Sequence, residues 1–210
     1  MGIHDRDYYR DQGGGQSQFG SWASTAVGTI ILLNVGCWFL QLMTRSGPGD
    51  FSTVGEWMSA SGNSIFASDL GFPELWRLVT ACFVHSESSI WHLGGNMFIF
   101  WMFGRELERM YGRREFWIFY LFAGALAVLV QSLFQFQQDT GGDIQILGAS
   151  GGVMAVAALY IFHFPRRTVY LWLLFPVPLW VLGCLYVYAD ISGAIGHGSG
   201  GVANFAHLAG

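Results

Sequence analysis

An all-α membrane protein, a bundle of six transmembrane helices with the sixth cut short, is the fold class this sequence predicts, on three observations. Of its 210 residues 52% are hydrophobic and only 11% charged, against roughly 25% charged in a typical soluble domain, and its mean hydropathy is +0.40. Apolar runs of spanning length alternate with polar or Gly- and Pro-rich stretches. All ten basic residues are arginines, and they sort by side. With the N-terminus in the cytosol, Arg6, Arg10, Arg105, Arg109, Arg113, Arg114, Arg166 and Arg167 fall inside and only Arg45 and Arg77 outside, as the positive-inside rule requires. A net charge of −4 says little in such a chain. The lipid bilayer is the expected surroundings, and no nucleic-acid partner is expected.

Residues 1–21 are polar, contain Gly13-Gly14-Gly15 and lack a basic stretch followed by an apolar one, so they read as a disordered cytosolic tail rather than a signal peptide. The absence of a targeting segment favours a prokaryotic plasma membrane. Residues 22–210 make one membrane domain. Its first span covers about 22–42, near the 20 residues a helix needs to cross. Residues 43–89, with Gly47-Pro48-Gly49, five acids and the amphipathic run 72–78, are too broken to span and belong in or near the interface. A second helix covers 90–104, a charged turn 105–114, a third helix 115–136 and a polar loop 137–145. The fourth starts near Leu147 and ends before Pro165; the fifth covers 169–189, with Pro176 and Pro178 tolerated as a kink. A glycine-rich loop at 192–201 leads to a sixth start at 202–210. Nine residues fall short of a span, so the chain is expected to be a fragment, poorly stable and weakly active until the helix is restored. Cys37, Cys82 and Cys184 are scattered and read as small hydrophobes rather than a disulfide framework.

The starts of the second, fourth and sixth helices share the outer leaflet, and each carries polar side chains. His92 and Asn96 lie four apart on one helical face; Ser150 heads the fourth helix within Gly148-Ala149-Ser150-Gly151, and His207 opens the sixth. Fifteen residues from Ser150 to Phe164 give about 22 Å of helix, which sets the serine below the outer boundary of a roughly 30 Å hydrocarbon layer. Polar groups there usually face the bundle interior and mark function. The chemistry allowed is acyl transfer: Ser150 as nucleophile, His207 as general base, and His92, Asn96 and the Ser150 N–H as oxyanion donors. With no carboxylate near His207 in sequence and Asp190 across a flexible loop, a Ser-His dyad is expected rather than a triad. Plainer readings stay open, in which the glycines pack helices and His92 and Asn96 staple two of them. A metal site from His85, His92, His197 and His207 lacks a carboxylate or thiolate ligand at usable spacing, so no metal and no cofactor are expected.

Trp76-Arg77, His92-x-x-x-Asn96, the run Gly104-Arg105-Glu106-Leu107-Glu108-Arg109-Met110-Tyr111-Gly112, Gly148-Ala149-Ser150-Gly151 and Ala206-His207-x-x-Gly210 together resemble the rhomboid family of intramembrane serine proteases, in order and over residues 22–210. The resemblance implies a bundle with a water-filled cavity opening outward and Ser150 and His207 as the catalytic pair. It implies an oxyanion site from Ser150, His92 and Asn96, and transmembrane protein substrates cut near their outer end. It also implies that Trp76-Arg77 belongs to a membrane-embedded structural loop and that Glu108 and Arg109 form a structural cluster at the cytosolic end of the second helix. One departure is Met154, where family members often carry an aromatic under the histidine; an altered His207 orientation is expected rather than inactivity. Two rivals are weighed. A rhomboid-like pseudoprotease that binds membrane clients is disfavoured by the presence of both Ser150 and His207. A small channel or transporter is disfavoured by missing inverted repeats and by the lack of an acid inside any predicted span. The glycine-rich residues 193–201 are expected to cap the serine.

Overall fold

The computed structural model describes residues 22–47, 51–138, 144–171, 174–195 and 206–210. The expected tail at 1–21, most of the expected cap at 193–201, and His197 lie outside these residues. The chain is mostly helical. Helix α1 (Ala26–Met43) is capped by Thr25, whose hydroxyl accepts from the Gly28 N–H at 2.9 Å. Its first two amides would be orphan donors. They donate instead to the Glu108 carboxylate, Ala26 at 2.6 Å and Val27 at 3.0 Å.

The segment after α1 is broken, as its Gly, Pro and Ser content predicts. Helices α2 (Thr53–Met58), α3 (Gly62–Phe66) and α4 (Arg77–Thr80) are followed by a 3-10 turn at Ala81–Phe83. Ser52 and Ser61 cap α2 and α3 through their hydroxyls. Arg77 organises the whole: its guanidinium pairs with buried Glu74 and donates to the carbonyls of Glu56 and Ser59. Burial alone raises the Glu74 carboxyl, but hydrogen bonds from Ser68 and Arg77 outweigh it and hold the group below the ordinary carboxylate range. Trp76, half-exposed, lies beside the guanidinium.

Helix α5 (Ile90–Tyr111) corrects the expected stop near residue 104. The run after it is rich in Arg, Glu, Leu and Met, all good helix formers, and the helix ends only at Gly112, whose φ of +89° suits glycine. Helix α6 (Arg113–Gln138) follows. Ile118, Phe122, Leu126, Leu129, Leu133 and Phe136 form an exposed stripe at helical spacing, while Phe116, Tyr120, Ala123, Ala127 and Gln131 are buried on the other side. Such a greasy outer face suits lipid. By length and composition α1 and α6 are each able to cross a bilayer.

Helix α7 (Ser150–His163) packs against α5 and α6, with Val153, Val156 and Tyr160 joining Phe100, Phe103, Leu107, Phe116 and Tyr120 in the main core. The expected fifth span at 169–189 is overturned. Strand β1 (Thr168–Leu171) pairs antiparallel with β2 (Phe175–Pro178), and helix α8 (Leu179–Ile195) starts only afterwards. The prolines explain the change. The Leu179 N–H donates to the Arg167 carbonyl at 2.9 Å, so amides of that parity face β1, whereas Pro176 and Pro178 put their missing donors on the free edge. Starting later, α8 also ends later, and Asp190 falls inside it. A helical turn at 206–209 completes the described chain.

Replacing Glu108 by Ala strips the acceptor from two helix-start amides; we expect a loss of roughly 1–3 kcal/mol, read as a lower unfolding temperature in detergent, with Glu108→Gln recovering part of it.

Candidate active site

The serine's position is fixed before its helix begins. Ile146 bridges to Ala60 through two backbone hydrogen bonds, and the Gly148 N–H donates to the Ala81 carbonyl at 3.0 Å. Gly148 then adopts φ +119°, and a Cβ there would sit 3.1 Å from Cε1 of His92. Glycine therefore serves two needs at this point, an unusual backbone and room for an imidazole. Ala149 is the N-cap and offers no side-chain cap, which leaves the first amides of α7 uncapped by their own sequence. Ser150 is the first residue of that helix.

Small residues set the next layer. A Cβ on Gly151 would lie 2.4 Å from Cβ of Ala127 and 3.7 Å from the Ala206 carbonyl, and one on Gly152 would strike the Tyr120 ring. A Cβ on Gly210 would fall 2.1 Å from the Gly151 carbonyl. The 206–210 segment thus rests on α7 one residue from Ser150. Gln131 secures it, its side-chain oxygen accepting from the Ala206 N–H at 3.2 Å. A cavity of about 90 Å³ opens beside Ser150, lined among others by Gln131, Gln145, Gly148, Gly151 and Ala206; that is room for several waters.

His92 and the His207 segment reach the head of α7 from two sides. His92 lies against Gly148, close enough to His207 for the two rings to interact electrostatically. Nδ1 of His92 accepts from the Ser86 N–H at 3.4 Å, which leaves Nε2 as the protonated, donating nitrogen. Asn96 sits one turn along α5 and donates to the His92 carbonyl at 2.9 Å. No hydrogen bond joins Ser150 to His207 among the described residues; helix packing brings their segments together. Met154 is half-buried, one turn along α7 from Ser150.

The structure adds a partner that the linear sequence conceals. Oδ1 of Asp190 lies 3.1 Å from Nδ1 of His207. Asp190, expected to lie across a loop from His207, is on α8, buried, and turned toward the histidine. The lack of an acid within a helix, counted against a channel, no longer holds either.

The other motif residues stand apart from this cluster. Trp76 and Arg77 belong to the broken segment described above. Glu108 and exposed Arg109 lie at the far end of α5, about 24 Å of helix from His92. Around that end Tyr160 donates to Glu106 at 2.8 Å, Arg167 pairs with Glu106, and Tyr111 meets His163. Glu74, Gln131 and Asp190 lie outside the motifs. Only Asp190, a lone acid in an apolar run, leaves a signal that sequence could have supplied.

His85, ahead of α5, is fully buried with its ring 5.4 Å from that of His92. Burial, and secondarily the His92 charge, push its pKa down to about 3. An unfolded chain protonates histidine near about pH 6.5, so the unfolded state holds the extra proton between those limits. Stability from His85 is therefore complete above about pH 6.5 and drains away as pH falls toward 3. Unfolding temperatures at pH 7.5 and pH 5 should differ more in the wild type than in His85→Gln.

The Rhomboid domain family matches residues 73–210. Similar proteins include RHOMBOID-like protein 12, mitochondrial, of Arabidopsis thaliana, 33% identical over 65% of this chain and 43% of that protein. Rhomboid protease GluP of Bacillus subtilis is 34% identical over 47% of this chain and 18% of its own length. Rhomboid protein 1, mitochondrial, of Saccharomyces cerevisiae is 33% identical over 48% of this chain and 28% of its own. The matched stretch is less than half the length of each relative. Mitochondrial and chloroplastic names among them do not fit the expected prokaryotic plasma membrane.

Proposed function

The chain belongs to the rhomboid family, an integral membrane family, and on that premise we propose that it is an intramembrane serine endopeptidase, a six-helix bundle cutting transmembrane segments of other proteins near their outer ends. The observation that carries this reading is that Ser150 lines a cavity large enough for water and is flanked by His92 against Gly148 and by the 206–210 segment against Gly151.

The reaction is acyl transfer. As Oγ of Ser150 bonds to the scissile carbonyl carbon, its proton passes to His207 and the carbonyl electron pair moves onto oxygen. That oxyanion is held by the Ser150 N–H, by Nε2–H of His92 and by the Asn96 amide. Collapse breaks the C–N bond, and the leaving amine takes the proton from His207. A water from the cavity then repeats the sequence, with His207 as base, and frees the acyl product. Neither metal nor organic cofactor takes part. Each oxyanion donor is worth about 10²–10³ in rate, and a dehydrated site makes such donors more effective than they are in water.

Asn96 has to serve from its place one turn along α5, with one amide hydrogen already on the His92 carbonyl and the other available to the oxyanion. His92, set by Ser86, is the better placed donor. Trp76-Arg77 and Glu108 hold the scaffold rather than the substrate.

Reconstituted in liposomes with a transmembrane reporter segment, the wild type should release two products, and Ser150→Ala and His207→Ala should release none; turnover that survives in Ser150→Ala overturns the assignment. His92→Ala should lower kcat about 10²–10³ with KM little changed, whereas Asn96→Ala should lower it less. An increase in KM alone would mark either residue as a substrate-binding or packing group.

A further inference from the structure

We propose that Asp190 is a positioning residue for His207, so that the pair at the serine is completed by a carboxylate into a Ser-His-Asp triad; the inference rests on the protease reading above. Asp190 is the sole charged residue in α8, whose remaining sequence is almost wholly apolar. Burying a carboxylate in such a helix is costly unless it is paired, and an intramembrane acid calls for a named partner. The partner on the page is the imidazole: Oδ1 of Asp190 lies 3.1 Å from Nδ1 of His207, and the Asp190 side chain is only 12% exposed.

The contact has a chemical consequence. A carboxylate only accepts, so Nδ1 of His207 must carry the hydrogen in this bond, and a neutral ring then has its lone pair on Nε2. That is the nitrogen a base needs free to take the Ser150 proton. When the proton arrives, the imidazolium is formed beside a carboxylate. Asp190 selects the tautomer and holds the ring plane. The need for such an anchor is physical. Met154, one turn from Ser150, offers no hydrogen bond to orient the His207 ring. His92, close to His207, bears no compensating charge, so Asp190 is the anion that faces the base.

The decisive observation is the tautomer, which does not depend on turnover. In 15N-histidine-labelled full-length chain at neutral pH, assigned by loss of the signal in His207→Gln, the His207 pattern should be that of a ring protonated at Nδ1, with a direct coupling from the proton to that nitrogen. In Asp190→Ala it should shift toward the Nε2-protonated form. Alongside, the rate of Ser150-dependent labelling by a fluorophosphonate should fall roughly 10²–10⁴-fold in Asp190→Ala, and Asp190→Glu, which keeps the acceptor, should recover part of it. A wild-type His207 protonated at Nε2 overturns the proposal, and so does a folded Asp190→Ala chain labelling at the wild-type rate. If Asp190→Ala does not fold, the wild-type spectrum with the Asp190→Glu rate decides. A wild type that takes no label at Ser150 while His207 shows the Nδ1–H tautomer overturns the protease reading and leaves Asp190 as a helix staple, which refutes its positioning role by a separate route.

Discussion

The architecture depends on how closely α7 approaches its neighbours. Inside lipid, helices gain nothing from hiding apolar surface from one another, and association rests on packing and on polar links. Gly151 and Gly152 remove the side chains that would hold α6 away; Ala127 and the Tyr120 ring occupy that space. Gly210 does the same for the last segment, which lies on the Gly151 backbone. Ser150 sits at the meeting point of these contacts. Its neighbourhood is thus a product of what is missing from the flanking positions, and any added methyl there must displace a ring, a helix backbone or the histidine's own segment. The same glycines that allow packing also bare the amides at the head of α7.

Polar residues divide by position along the helices. At one end of α5, Glu108 closes the start of α1, and Glu106, Arg167 and Tyr160 tie α5 to α7 and the hairpin. In the broken segment, Arg77 and Glu74 gather short helices that have too little apolar surface to hold themselves. These groups are paired with one another and lie away from the cavity. At the other end of α5 the partners are arranged differently: among the described residues, His92 keeps a donor free, and His207 is held through one nitrogen while the other has no partner. Spare hydrogen-bonding capacity beside a cavity is what separates a reactive cluster from a structural one.

How far sequence reached follows from the range of each signal. Long apolar runs and the small-residue context of Ser150 are local, so α1, α6, α7 and the serine's setting were legible. The charged run after Gly104 looked like a turn because its charge was weighed above its helix propensity; α5 simply continues to Gly112. The error at 169–189 was more consequential. Hydropathy does not distinguish an apolar hairpin from an apolar helix, and two prolines were accepted as a kink where they mark a strand's free edge. Placing α8 ten residues early set Asp190 just past its end and across a loop from His207, and with that went the view of the carboxylate beside the histidine. That contact joins residues 17 apart through a fold-level register, and no spacing rule encodes it.

The claim most exposed to test is that one end of α7 is an acyl-transfer centre. Trapping with a fluorophosphonate in native-like bilayers, followed by proteolytic mapping and mass analysis, identifies the modified atom's residue directly. A single adduct on the peptide bearing Ser150, absent from His207→Ala, is the predicted result. An adduct that persists in His207→Ala at the wild-type rate, or that maps to another serine, contradicts it.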